Sequence, residues 1–183
     1  MRRSLIPLIF LLHMVGCAQS HSEERYFLSA GYGLELKRDG GSAFSFAAGY
    51  SRGWPLISAR VTTWSEKRST WSNPTPKETF DEYALMFGFV TVSPGERPIL
   101  MACISAGPAL VTGEKRGSTT RSGFLGGGQY ESVRFQNRAL ALDGRFTYIA
   151  HPQFGVGFGI AANLNKEKNL VLPSIHIYLG RFY

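Results

Sequence analysis

Large apolar residues occupy every second position over most of the chain, which is the pattern of β-strands. The stretch FGVGFGIAAN, residues 154–163, shows the pattern clearly, because four bulky residues alternate with three glycines. Seven further segments alternate in the same way, and none of the region after residue 24 has the period of an amphipathic helix. The pattern predicts eight strands, over 25–36, 42–51, 56–65, 82–92, 98–112, 138–149, 154–163 and 170–183.

The connections between these segments alternate in length. Strands two and three, four and five, and six and seven are joined by the short stretches RGWP, SPGERP and AHPQ, each with a proline that favours a turn. The intervening connections are KRDGGS, the loop 66–81, the loop 113–137 and NKEKN. In an up-and-down meander all short connections lie at one end, and outer-membrane barrels combine short turns at one end with long loops at the other.

The side of each strand that is not bulky is made mostly of Gly, Ser and Ala rather than Lys, Glu and Gln. An eight-stranded barrel has an interior only just wide enough for side chains, so small residues fit inside and bulky ones face lipid. The sequence therefore predicts an all-β protein, an eight-stranded antiparallel up-and-down transmembrane β-barrel with a lumen filled by side chains. A soluble barrel with its apolar face inside, or a two-sheet sandwich, is the alternative.

The N-terminus has the composition of a secretory signal peptide, with two arginines followed by a short apolar run and small residues. We expect the signal peptide at 1–18, a short lead at 19–24 and the barrel at 25–183. The sequence around Cys17 also resembles a lipobox, so lipoprotein cleavage is the alternative to an ordinary cut after Ala18. Cys103 has no partner in the mature chain, and the net charge of +7 is too dispersed to predict nucleic-acid binding.

The C-terminal sequence IHIYLGRFY ends on an aromatic residue preceded by alternating apolar positions. With the signal peptide, the eight segments and the loop parity, it makes the chain resemble the small eight-stranded outer-membrane β-barrels of the OmpA/OmpX-like class. The resemblance implies a location in the outer membrane of a Gram-negative-type bacterium, and Ile177, Leu179 and Tyr183 as the signal read by the barrel-assembly machinery. Arg181 departs from that signal. Such barrels serve as anchors, adhesins, small porin-like channels or lipid-modifying enzymes.

Five ionisable residues fall on the predicted lumenal side, and buried charges persist only when they are paired. We expect them to form an internal salt-bridge network that fills the barrel, with a narrow ion path as the alternative. These residues are Glu35, Arg60, Asp143, Arg145 and His176.

The two long loops are predicted to contact the exterior or a partner, including outer-membrane lipid and lipopolysaccharide, whose phosphates attract basic residues. The candidate contact residues are Lys67, Arg68, Trp71, Lys115, Arg116 and Arg121. Trp64 is a further candidate, with a lumenal or interfacial position as the alternative.

A structural or interaction role is the main hypothesis for function. The first alternative is a lipid A deacylase-like enzyme, for which Ser174, His176 and Asp143 would be the reactive set. The second is a lipocalin-like soluble barrel tethered through Cys17. The scattered histidines have no metal-ligand spacing, and the glycine-rich stretches lack the strand–turn–helix context of a phosphate site, so no metal and no cofactor are expected.

Overall fold

The computed structural model describes residues 24–36, 40–67, 77–93, 99–121 and 129–182. No helix within these ranges is long and apolar enough to cross a membrane. The described residues form eight strands: β1 (Glu24–Leu34), β2 (Gly41–Arg52), β3 (Pro55–Glu66), β4 (Thr79–Val92), β5 (Ile99–Arg121), β6 (Gln129–His151), β7 (Phe154–Leu164) and β8 (Leu170–Arg181).

Each strand pairs antiparallel with the next one in sequence, and β8 pairs with β1, so the sheet closes into a barrel. Closure leaves no sheet edge inside the barrel wall. The predicted all-β up-and-down topology is confirmed. We name the two ends by their connections: the hairpin end bears β1–β2, β3–β4, β5–β6 and β7–β8, and the turn end bears the three short connections and the start of β1.

The bulky and the small residues of each strand lie on opposite faces of the barrel wall, as the alternation predicts. Bulky side chains such as Phe158 and Ile175 point outward and are 64% and 71% exposed, whereas the intervening residues are buried in the lumen. A lipocalin-like barrel or a soluble sandwich would bury its bulky row and expose the opposite one. Both of these alternatives are therefore wrong, because the small and polar row is the one that is enclosed.

The lumen is packed by larger side chains than the sequence pattern indicates. At the turn end, Phe27, Met101, Ile149, Tyr178 and Phe182 belong to one buried apolar cluster. At the hairpin end a second cluster surrounds a fully buried tryptophan and contains Ala43, Trp64, Phe80, Val111, Ala161, Leu170 and Leu172. Apolar clusters thus lie at both ends of the barrel, and four buried charged residues lie between them, namely Arg60, Glu82, Asp143 and Arg145.

Glycines make room for these large lumenal groups. A Cβ added at Gly31 would lie 2.3 Å from the His176 ring, and one added at Gly157 would lie 2.3 Å from the carbonyl oxygen of Phe146. Real Cβ atoms do not approach other atoms this closely. The lumenal glycines are therefore needed where a large side chain or a neighbouring backbone crowds the wall.

Two strands are much longer than predicted. Strands β5 and β6 have 23 residues each and extend to Arg121 and from Gln129, through most of the segment expected to be the loop 113–137. The reason is that the two segments pair with each other, from Glu114 opposite Arg134 to Arg121 opposite Gln129. The prediction of a long irregular loop was wrong for 113–121 and 129–137. The predicted signal peptide, its cleavage site and most of the lead lie outside the described residues.

Candidate functional site

A network of four buried charges crosses the middle of the lumen. The Arg60 guanidinium contacts the Glu82 carboxylate, with Nη2 2.7 Å from Oε1, and its Nη1 lies 3.4 Å from Oδ1 of Asp143. The Arg145 Nε lies 2.5 Å from the other oxygen of Asp143. Two guanidiniums and two carboxylates therefore alternate, which is the arrangement that lets charges stay buried.

Polar neighbours add further hydrogen bonds to this network. Arg145 donates to the hydroxyl of Ser29 at 3.0 Å, across the barrel on β1. The Asn163 amide donates to the free oxygen of Glu82, and Arg60 also donates to the backbone carbonyl of Leu142. The network therefore ties β1, β3, β4, β6 and β7 together through the lumen.

The structure brings together three of the five residues predicted for this network, namely Arg60, Asp143 and Arg145. His176 is buried next to them, and within the described part of the chain its side chain hydrogen-bonds to Ser174 alone. Glu35 lies at the hairpin end. Sequence reasoning missed Glu82, whose position has the inward parity of the following alanine and methionine in β4. This parity could have identified Glu82 as lumenal, but Glu82 was the first residue of the predicted strand 82–92 and was not assigned to a face.

The proposed reactive set of Ser174, His176 and Asp143 is not assembled. Ser174 Oγ and His176 Nε2 lie 2.7 Å apart, but Nδ1 of the histidine has no partner among the described residues. Asp143, which would have to hold that nitrogen, contacts two arginines instead. The dyad also lies inside the barrel, away from the outward face that an acyl chain would contact.

A lysine and two glutamates gather around the buried tryptophan at the hairpin end. Lys168, in the connection between β7 and β8, places its Nζ 3.8 Å from the centre of the Trp64 ring. The same Nζ is 3.5 Å from Oε2 of Glu35 and 3.9 Å from Oε2 of Glu78. Of the two positions predicted for Trp64, a surface contact or a lumenal or interfacial residue, the structure has the lumenal one, since the side chain is 1% exposed.

Ion pairs hold the base of the β5–β6 hairpin to its neighbours. Arg116 pairs with Glu66 at the end of β3 and lies over the ring of Tyr130 on the facing strand, and Lys115 pairs with Glu167 in the β7–β8 connection. Partial burial raises the pKa of Glu66, but hydrogen bonds from Arg116 and the backbone of Glu78 outweigh it, so the pKa lies below its usual value.

The predicted contact residues have three different outcomes. Lys67 is exposed at the hairpin end, whereas Lys115 and Arg116 are engaged in the ion pairs at the hairpin base. Arg121 is the last residue of β5, and its side chain is outside the described part of the structure. The other two, Arg68 and Trp71, also lie outside the described residues.

The C-terminal segment closes the turn end. Ile177 and Leu179 of the predicted assembly signal point outward, and Tyr183 lies beyond the described residues. The next inward residue, Phe182, turns into the lumen, and its carbonyl oxygen accepts a hydrogen bond of 3.0 Å from Arg25, which also donates to the carbonyl of Gly53. The described residues contain no cluster of His, Cys, Asp and Glu that could hold a metal ion.

Solved structures of this architecture match the chain over nearly its whole described length. The N-terminal β-barrel domain of OprF from Pseudomonas aeruginosa aligns with a TM-score of 0.57 at 12% identity, covering 88% of this chain and 99% of that one. The chain has the fold of the small eight-stranded outer-membrane barrels. Neisserial surface protein A aligns with a TM-score of 0.55 at 15% identity, covering 87% of this chain and 97% of that one.

A third similar structure is Ail, the attachment invasion locus protein of Yersinia pestis, in complex with the heparin analogue sucrose octasulfate. It aligns with a TM-score of 0.51 at 16% identity, covering 87% of this chain and 99% of that one. Neither a protein-family model nor a curated protein sequence matches the chain. At these identities the likeness establishes the shared fold.

Proposed function

We propose that this chain is an outer-membrane protein whose closed barrel anchors the β5–β6 hairpin outside the cell, where the hairpin contacts a partner. The observation that supports the location is the outer surface of the barrel. Thirty large apolar side chains of the described residues are exposed, and all but Leu36 and Trp54 lie on the strands that form this surface. A soluble monomer exposes apolar patches of a few hundred Å² at most, so a continuous belt of this kind requires hydrocarbon around it.

The filled lumen supports an anchor rather than a pore. Apolar clusters occupy both ends of the barrel, and the charges between them are paired with one another. An ion-conducting path would need a continuous polar route through the lumen, and the two apolar clusters interrupt that route. In this location the belt contacts outer-membrane lipid and, in the outer leaflet, lipopolysaccharide. The outward residues Ile177 and Leu179, together with the terminal Tyr183, serve as the signal for the barrel-assembly machinery.

The hairpin is the part of the molecule suited to a partner. Strand β5 pairs with β4 only as far as Glu114, and β6 pairs with β7 only from Leu140 onward. Beyond these points the described residues of the hairpin pair only with each other, so both outer edges offer backbone hydrogen-bonding groups. Residues 113–138 contain five cationic and two acidic side chains, and the ion pairs of Lys115 with Glu167 and of Arg116 with Glu66 reduce their net charge from +3 to +1. An acidic partner, polypeptide or sulfated or phosphorylated glycan, fits this charge.

The location is tested by membrane fractionation and a heat-modifiability gel. We expect the protein to stay with outer-membrane fragments after carbonate washing and to migrate differently when unboiled, because a folded barrel resists the detergent. Recovery of a detergent-free monomer in the soluble fraction would contradict the location.

The interaction role is tested by photo-crosslinking on intact cells. A photoreactive residue replaces Ser132, which is exposed on the hairpin, or Gln153, which is exposed at the turn end. We expect adducts with molecules added outside the cell from position 132 and none from position 153. Equal labelling of the two positions would refute the assignment of the hairpin to the outside.

A further inference from the structure

The ammonium group of Lys168 lies in a cage at the hairpin-end opening of the lumen. One wall of the cage is the Trp64 ring, 3.8 Å from Nζ, and the carboxylates of Glu35 and Glu78 lie at 3.5 and 3.9 Å. The tryptophan is almost completely buried, while the lysine side chain is 28% exposed. The lysine therefore covers the ring from the solvent side.

The cage is held in place by the wall of the barrel. A Cβ added at Gly41 would lie 2.4 Å from the Trp64 ring, so only glycine at this position lets the indole pack so close to the backbone of β2. The backbone N–H of Gly41 also donates to Oε2 of Glu35 at 3.3 Å, which fixes the carboxylate that faces Nζ. Gly41, the first residue of β2, therefore positions both the Trp64 ring and the Glu35 carboxylate.

We propose that the hairpin end of the lumen is an ammonium-binding site, formed by the Trp64 ring with the Glu35 and Glu78 carboxylates, which Lys168 occupies and thereby closes. A desolvated tryptophan face attracts a cation strongly, and carboxylates accept the N–H bonds that the ring cannot. A primary ammonium suits this space because it is compact and has three donors, whereas a guanidinium is broad and planar.

The chain supplies its own occupant. Because Lys168 is tethered beside the cage, its effective concentration is high and free amines compete with it poorly. Removal of the lysine side chain leaves the ring and both carboxylates in place, so the vacated site should accept a small primary ammonium ion from solution. This inference rests on contacts at the opening and is independent of the location of the barrel.

The test uses Trp64 as the only tryptophan, with Trp54→Phe and Trp71→Phe, in protein refolded in detergent micelles. With Lys168 present, we expect acrylamide to quench Trp64 weakly. Lys168→Ala should raise the quenching constant several-fold, because the face of the ring becomes accessible. Methylammonium chloride should restore protection in a saturable manner, and sodium chloride at the same ionic strength should not.

The matched control is Lys166→Ala, which removes an exposed lysine two residues away and should leave quenching unchanged. Lys168→Ser also removes the part of the side chain that covers the ring, and it replaces the alanine variant if that variant does not show the gel shift of a folded barrel. Unchanged quenching in both Lys168 variants would overturn the closure. Restoration by both salts, or by neither, would overturn the ammonium site.

Discussion

Substitution of Asp143 by alanine tests whether the lumenal network stabilises the barrel. Asp143 is the carboxylate that both arginines share, at 2.5 Å from Arg145 and 3.4 Å from Arg60. After the substitution Arg60 keeps its contacts with Glu82. Arg145 keeps the neutral hydroxyl of Ser29 but loses the one carboxylate that it contacts within the network. The change therefore leaves one buried guanidinium without a countercharge.

The expected loss follows from this imbalance. Removal of one partner of a buried ion pair costs about 3–5 kcal/mol, because the remaining charge stays desolvated. A second change, Arg145→Met, removes that charge and keeps an unbranched side chain of similar length. We expect the double variant to recover much of the loss, with a coupling energy of about 2–3 kcal/mol between Asp143 and Arg145.

The free energy of unfolding is measured by urea titration of protein refolded into phosphatidylcholine vesicles, with the folded fraction read from the unboiled gel. Ser105→Ala is the control, since the one hydrogen-bond contact of this lumenal hydroxyl with the described residues is a weak one, 3.9 Å from the sulfur of Met86. A cost below about 1 kcal/mol for Asp143→Ala, or a double variant whose cost equals the sum of the two single costs, would refute the reasoning.

Three further predictions concern the wall and the hairpin. Phe158→Arg should lower the free energy of unfolding in vesicles by about 2–4 kcal/mol, since it places a charge on the lipid face, whereas Phe158→Leu should cost much less. Gly31→Ala should destabilise the barrel because its Cβ would meet a buried ring at 2.3 Å, and Gly144→Ala, which meets nothing within 4 Å, should be neutral in the same urea titration. The Glu66–Arg116 pair should stabilise the base of the hairpin fully above pH 4.5, the ordinary pKa of Glu66, and should lose this stabilisation as the pH falls through the lowered pKa of Glu66 in the folded protein. Limited proteolysis of the hairpin should become faster as the stabilisation is lost, and Glu66→Gln should remove this pH dependence.

Strand parity explains why so much of the fold and of the network was predictable. In a barrel the side-chain period is two, so one assignment of faces places every residue of a strand. Arg60, Asp143 and Arg145 followed directly from that assignment. Glu82 did not follow from it, because parity assigns a side chain to a face only within a strand whose start is known. The polar residues before Tyr83 made the start of β4 hard to recognise.

The hairpin and the cage could not be predicted from the same signal. Beyond the barrel, both faces of β5 and β6 meet water, so polar residues occupy both and the alternation disappears. What makes these segments strands is their pairing with each other, including the contact of Arg134 with Glu114. Lys168 stands in an irregular connection, and its contact with Trp64 exists only because closure of the barrel brings β8 and β3 to the same opening.

The length of the hairpin determines the distance from the bilayer at which a partner can bind. The seven residues from Lys115 to Arg121 lie beyond the pairing of β5 with β4. At a rise of about 3.3 Å per residue they reach about 23 Å along the strand, whereas the headgroup layer on one side of the hydrocarbon is only about 5–7 Å thick. A large, rigid partner can therefore bind the hairpin without having to pass through the lipopolysaccharide sugars to the lipid surface.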